Sequence, residues 1–273
     1  MILEECGFVG RSFVVTGALG AMGRVQVSRL SAAGATVHAL DLPDVDNDAW
    51  QTLTGLPGSG AVVPHSVDVR SEQSWKNLVE ELGEEPVHGL VNFAGVTLRS
   101  PLSATELRDW ERVLGINLTG SFLAIKALSS LLADGASIVN LSSSAGLTAY
   151  FGAAYSVSKW GIRGLTRSAA MELGHRGVRV NSVCPGIVDS PMTRNANAVY
   201  DAQAAATFYE ASIEATLNGR GARVEEISEV VEFLLSDGSR YINASDIPVD
   251  AGMVSTSPYQ RVGVAVGTLE GPG

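Results

Sequence analysis

Short runs of apolar, largely β-branched residues recur along the chain at Ser12–Thr16, Thr36–Leu40, Ala61–Val67, Gly89–Phe93, Ala136–Leu141, Val178–Cys184 and Ser245–Val249. Their length and composition predict strands. Between them, apolar positions fall at helical spacing in Ala21–Ala33, Ser71–Leu82, Ala104–Leu131, Ala153–Gly174 and Glu225–Leu235. Strands that alternate with helices pair in parallel, because each helix carries the chain back to the starting end of the sheet. The pattern predicts an α/β fold: a single Rossmann-like doubly wound domain, with a parallel sheet of about seven strands and helices on both faces. No linker and no repeat of fixed period interrupts it. One catalytic domain is therefore expected over residues 1–253. Residues 189–221 are the least regular internal stretch, and residues 254–273 form a tail without periodicity and without an assigned role.

Composition then excludes several classes. Hydrophobic residues make up 45% and charged residues 18% of the 273, as in a folded globular protein. The 30 glycines sit in short clusters at the ends of apolar runs and mark tight turns. The net charge is −10, only three of the 19 basic residues are lysine, and no basic run occurs, so a nucleic-acid partner is not expected. No segment reaches the ~18 consecutive apolar residues of a membrane span. Residues 1–10 contain Glu4 and Glu5 and no signal-like apolar stretch, so a cytoplasmic location is expected. Cys6 and Cys184 are too few and too distant for a disulfide framework or a zinc site; inert buried thiols and no metal are expected.

The first predicted strand runs into Thr16-Gly17-Ala18-Leu19-Gly20-Ala21-Met22-Gly23, and a helical pattern follows at once. Glycines in such a turn let the backbone approach a pyrophosphate, while the free N–H groups and positive end of the helix attract its charge. Asp41 ends the second strand eighteen positions after Gly23. An acidic side chain there accepts hydrogen bonds from the adenosine ribose and repels a 2′-phosphate, and the following Leu42 and Pro43 offer no cation to bind one. NAD rather than NADP is the expected cofactor. A plain connecting turn at the glycines, and a turn opened by Asp41, are the alternatives.

Tyr155 and Lys159 stand four residues apart on a predicted helix, on one face. A phenol ionises near pH 10, and a neighbouring cation favours its ionised form. Tyr155 could then take a proton from an alcohol or give one to a developing alkoxide.

At these residues the chain resembles the short-chain dehydrogenase/reductase family, from about Gly10 to Met253. Further segments resemble that family's markers in order: Asp68-Val69, Asn92-Phe93-Ala94-Gly95, Ile116-Asn117-Leu118, Ser142 to Gly146, Asn181 to Gly186 and Val249-Asp250-Ala251-Gly252. The resemblance implies that Asp68 and Val69 hold the adenine and that Asn92, Ala94 and Gly95 brace the sheet beside the cofactor. It further implies that Pro185, Gly186, Ile187 and Val188 lie along the nicotinamide, with Ser190 bonding its carboxamide. Lys159 would reach the nicotinamide ribose. Asn117 would bend its helix and hold a water between Lys159 and solvent, and Ser143, with Ser142 as an adjacent competitor, would polarise the substrate carbonyl. The Gly17, Gly20, Gly23 spacing departs from the single-domain members and resembles the sugar-nucleotide epimerases and dehydratases of the extended family. No additional C-terminal domain of their kind is expected.

Leu98, Leu147, Tyr150, Val188, Met192, Phe208 and Tyr209 are the candidate substrate pocket, in loops expected at the C-terminal ends of the strands. Their apolar character points to a lipophilic secondary alcohol or ketone; Phe208 and Tyr209 could equally be the buried stripe of a helix. The segment Lys159 to Leu165 resembles bacterial hydroxysteroid dehydrogenases. A reductase of carrier-bound 3-oxoacyl chains and a non-catalytic NAD-sensing member are the competing readings. The resemblance also implies a homotetramer, with the helices predicted over Ala104–Leu131 and Ala153–Gly174 in one interface.

Overall fold

The computed structural model describes residues 7–42, 47–55, 60–195, 200–256 and 259–270. In chain order it runs β1 (Ser12–Thr16), α1 (Ala21–Ala32), β2 (Thr36–Asp41), α2 (Asn47–Thr54), β3 (Val62–Ser66), α3 (Glu72–Leu82), β4 (Val87–Asn92), α4 (Leu107–Leu114), a π-helical turn (Gly115–Thr119), α5 (Gly120–Leu128), β5 (Leu132–Leu141), α6 (Ala153–Leu173), β6 (Arg179–Pro185), α7 (Pro191–Arg194), α8 (Ala202–Ile213), α9 (Val224–Leu235), β7 (Asp246–Val249), α10 (Met253–Thr256) and α11 (Tyr259–Ala265). Cys6 lies outside the described residues, and Cys184 is buried and unpaired.

The seven strands form one parallel sheet in the order β3-β2-β1-β4-β5-β6-β7. Central strands such as β1 and β6 are buried on both faces along their whole length, which is why β1 reads as a continuous apolar run rather than as alternation. Proline occurs only in the two edge strands, Pro64 in β3 and Pro248 in β7, apart from Pro185 at the very end of β6. One apolar layer packs α1 and α9 against the sheet through Phe13, Val27, Leu30, Ile227 and Leu234. The opposite layer packs α3, α5 and α6 through Val14, Trp75, Leu90, Leu128 and Ile138. Burying each such large side chain contributes about 1.5–3 kcal/mol. The order in which strands are added reverses between β1 and β4, so their C-terminal ends open a crevice between the turns that follow them.

Several elements differ from the sequence expectation, among them α7, α10 and α11 in stretches read as irregular. The helix expected over Ala104–Leu131 starts at Leu107, ends at Leu128 and is broken by the π-turn centred on Asn117. Strand β5 begins at Leu132 rather than Ala136: Val87 pairs with Leu132 but Gly89 with Ser137, and the intervening Asp134-Gly135 bulges out with Gly135 at φ 79°. That exposed polar pair hides the strand's start. Helix α8 occupies the stretch read as irregular, because its alanines favour a helix without marking a buried face. The short helix α2 was not expected either.

Candidate active site

The glycine-rich turn is held by close approach. Gly17 has φ 64°, and a Cβ there would lie 2.8 Å from the Ala94 backbone nitrogen; a Cβ on Gly23 would lie 2.1 Å from the Gly17 carbonyl oxygen. Neither position has room for a side chain. Gly20 differs: its nearest contact would be 3.2 Å and its φ is −69°, so it keeps the surface over the N-terminus of α1 low. Gly17, Gly20, Ala21, Met22, Gly23, Asp41, Leu42, Asp68, Val69, Ala94, Gly95 and Ser190 line one cleft of about 690 Å³. This cradle, opening on free helix N–H groups, fits a dinucleotide pyrophosphate.

Asp41 makes two backbone contacts that the sequence did not disclose. Its Oδ2 accepts from the Leu19 N–H at 2.8 Å and its Oδ1 from the Leu42 N–H at 2.9 Å, so the carboxylate ties β2 to the glycine turn. Each oxygen keeps a lone pair for a ribose hydroxyl. Arg70 faces the same cleft but is clamped to Asp68 by bonds of 2.9 and 2.6 Å, and this pairing holds the Asp68 carboxyl below its ordinary range. Asn92 does not reach the cleft; its amide donates to Asn140 at 2.8 Å, and Asn140 donates to Thr166 at 3.0 Å, locking β4, β5 and α6 together. Pro185 and Val188 also stand back from it, and Val188 packs in the core beside Ala222.

At the inner end of the cleft, Lys159 is 3% exposed and its Nζ donates to the Leu141 carbonyl at 2.7 Å, 5.6 Å from the centre of the Tyr155 ring. Burial pushes the Lys159 ammonium down to about 8 and the Tyr155 phenol up. The expected relief of Tyr155 by Lys159 is not what opposes burial here. The phenol is drawn back down by a hydrogen bond from Ser143 and by the charge of Arg99. The two serines separate cleanly: Ser142 donates to the Lys159 carbonyl at 2.9 Å, whereas Ser143 lines the adjoining cavity beside Tyr155. Ser143 Oγ accepts from the Ala145 N–H at 3.1 Å, which leaves its own proton to donate.

Asn117 is buried where the π-turn widens its helix. Its Oδ1 accepts from the Val96 N–H at 2.8 Å, and its Nδ2 donates to the Val96 carbonyl and to Ser158 Oγ, each at 3.0 Å. A side chain on Gly95 would meet Asn117 at 3.4 Å and Lys159 Nζ at 3.7 Å, which places the two side by side. Inserted turns of this kind recur at functional positions.

A cavity of about 700 Å³ opens beyond Tyr155. Of the candidate pocket residues, Tyr150, Met192 and Phe208 line it, as do Gly186 and Ile187. Leu98, Leu147, Val188 and Tyr209 do not, correcting their expected place. Tyr209 follows Phe208 on α8 and so points about 100° away around the helix; its ring stacks under the Arg194 guanidinium at 3.6 Å. Leu98 turns its carbonyl toward Gly152, and Val188 belongs to the core. Sequence reasoning missed Thr97, Arg99, Phe151, Met253 and Val254, all in the cavity wall. Arg99 carried one usable signal, its place in the loop after β4 at the binding end of the sheet. Met253 and Val254 straddle the boundary drawn between domain and tail.

Comparison with known proteins agrees with this architecture. The profile of the family described as "Enoyl-(Acyl carrier protein) reductase" matches residues 17–254. The chain is 36% identical over 251 residues to trans-4-hydroxycyclohexanecarboxylate dehydrogenase of Sinomonas cyclohexanicum, covering 88% of this chain and 91% of that protein. It is 33% identical over 259 residues to meso-2,3-butanediol dehydrogenase of Serratia marcescens, covering 93% and 99%. Among solved structures, a short-chain type dehydrogenase/reductase from Mycobacterium ulcerans superposes with a TM-score of 0.81 at 29% identity, over 90% of each chain.

Proposed function

Because this chain belongs to the short-chain dehydrogenase/reductase family, we propose that it is an NAD-dependent oxidoreductase interconverting a lipophilic secondary alcohol and its ketone, with Tyr155 as general acid and base. The observation that carries this reading is the convergence of Tyr155, Lys159 and the Ser143 hydroxyl where the nucleotide cleft meets the second cavity. When bound, the nicotinamide supplies the chemistry of accepting or returning a hydride at the carbinol carbon. Ser143 donates to the substrate oxygen and steadies negative charge on it. Tyr155 removes the hydroxyl proton in oxidation and returns it in reduction. Lys159, mostly protonated at neutral pH, holds the cofactor ribose, while Ser143 and the charge of Arg99 favour the phenolate; Asn117 lies beside Lys159 and donates to the adjoining Ser158.

The Asp41 carboxylate in the cleft, and the commitment of Arg70 to Asp68, support NAD over NADP. The apolar wall of the cavity supports a lipophilic substrate body, and the relatives' own alcohols, from a small diol to hydroxysteroids, do not narrow it further. The proposal includes a cytoplasmic homotetramer, for which the exposed Phe122 on α5 and Val157 and Trp160 on α6 supply apolar surface. Among the described residues no helix is long and apolar enough to cross a membrane. The test is Tyr155→Phe assayed by reduced-nicotinamide absorbance on a panel of secondary alcohols: turnover should vanish while NAD affinity changes little. Comparable turnover by the variant refutes the proton-transfer role.

A further inference from the structure

Arg99 is 5% exposed, yet no carboxylate pairs with it among the described residues. Its Nη2 donates to the Met192 carbonyl at 3.1 Å, and its guanidinium lies 4.1 Å from the centre of the Phe208 ring and 5.5 Å from that of Tyr200. Nε and Nη1 have no hydrogen-bond acceptor. Three of the five N–H donors of a buried cation are thus unused. Such a group is costly unless a counter-charge completes it. Arg99 also lines the substrate cavity, whose wall contains no Asp or Glu among the described residues. The missing partner is not supplied by the described residues, so the position calls for an anion that arrives in the cavity.

We infer that Arg99 is the anchor for a carboxylate on the substrate, which makes the substrate class a hydroxy acid or oxo acid rather than a neutral alcohol. This rests on the proposed alcohol and ketone chemistry at Tyr155. A single guanidinium balances one negative charge; a phosphate dianion would leave a second charge uncompensated among Phe151, Ile187, Phe208 and Met253. Arg99, Tyr150 and Tyr155 line the same cavity, with the Tyr150 ring centre 5.9 Å from that of Tyr155, so the anchored carboxylate and the reacting carbon belong to one bound molecule.

The test measures kcat/KM with reduced nicotinamide cofactors for 3- and 4-oxocyclohexanecarboxylate, for their methyl esters and for cyclohexanone. The intact protein should prefer at least one acid over its ester by at least about tenfold, the scale of a desolvated charge-assisted pair, mainly through KM. Arg99→Met should bring the acid-to-ester ratio to about one, and Arg99→Lys should restore part of it. Equal turnover of acids and esters by the intact protein, or an acid preference that survives in Arg99→Met, overturns the inference and leaves the alcohol and ketone reading standing. Failure to reduce any of the ketones with either cofactor overturns that reading instead. Should Arg99→Met not fold, competition by cyclohexanecarboxylate against cyclohexanecarboxamide in the intact protein decides: equal inhibition by the two, or none by the acid, overturns the inference.

Discussion

Lys159 is a charged side chain held where charge is least welcome, and the consequence is measurable without substrate. Burial lowers its ionisation from 10.5 to about 8. Below pH 8 both the folded and unfolded chains carry the ammonium, and the folded state bears the full cost of burying it. Between pH 8 and 10.5 the unfolded chain binds more protons than the folded one, so stability rises with pH across this window. The span corresponds to about 3 kcal/mol. Lys159→Met removes the titration but also leaves the Leu141 carbonyl without its donor, at a pH-independent cost of about 1–3 kcal/mol. The difference in unfolding free energy between intact protein and variant, measured by urea titration at several pH values, isolates the effect. It should shift by about 3 kcal/mol in favour of the intact protein from pH 7 to pH 10.5, with the variant relatively most stable at pH 7. A difference that stays flat over this range would refute the burial of a charged lysine. A group retained at such a cost is retained for function rather than for folding.

Asp41→Ala removes both the charge facing the ribose and the tie to Leu19, so NAD affinity should fall while the NAD-to-NADP ratio of kcat/KM drops at least about tenfold; an unaltered ratio contradicts its role in discrimination. Gly23→Ala places a methyl on the Gly17 carbonyl and should cost about 1–3 kcal/mol together with nucleotide binding, whereas Gly20→Ala should fold normally; equal melting temperatures for the two variants would remove the steric argument. If α5 and α6 form a subunit interface, the double variant Phe122→Glu with Trp160→Glu should sediment as a smaller species than the intact protein. An unchanged sedimentation coefficient would place the interface elsewhere.

Local features were legible in the chain itself. Alternating strand and helix patterns led to the seven-stranded parallel sheet, because a βαβ unit has only one practical way to close. Gly17 and Gly23 were readable as a tight strand-to-helix turn, and Tyr155 and Lys159 as one helix face, since each relation spans a few residues with fixed geometry. Features that depend on two distant segments were not. The choice between Ser142 and Ser143 is made by which one faces the Lys159 carbonyl on α6. Whether Phe208 or Tyr209 looks into the cavity is decided by the rotation of α8 against α7. Arg99 illustrates the difference most sharply: in the sequence it is one cation among nineteen, and only the tertiary packing of Met192, Phe208 and Tyr150 around it strips away water without providing a counter-charge. Periodicity along a chain encodes which face of an element is apolar. Desolvation and the pairing of polar groups are properties of the space between elements, and they exist only once the chain has folded.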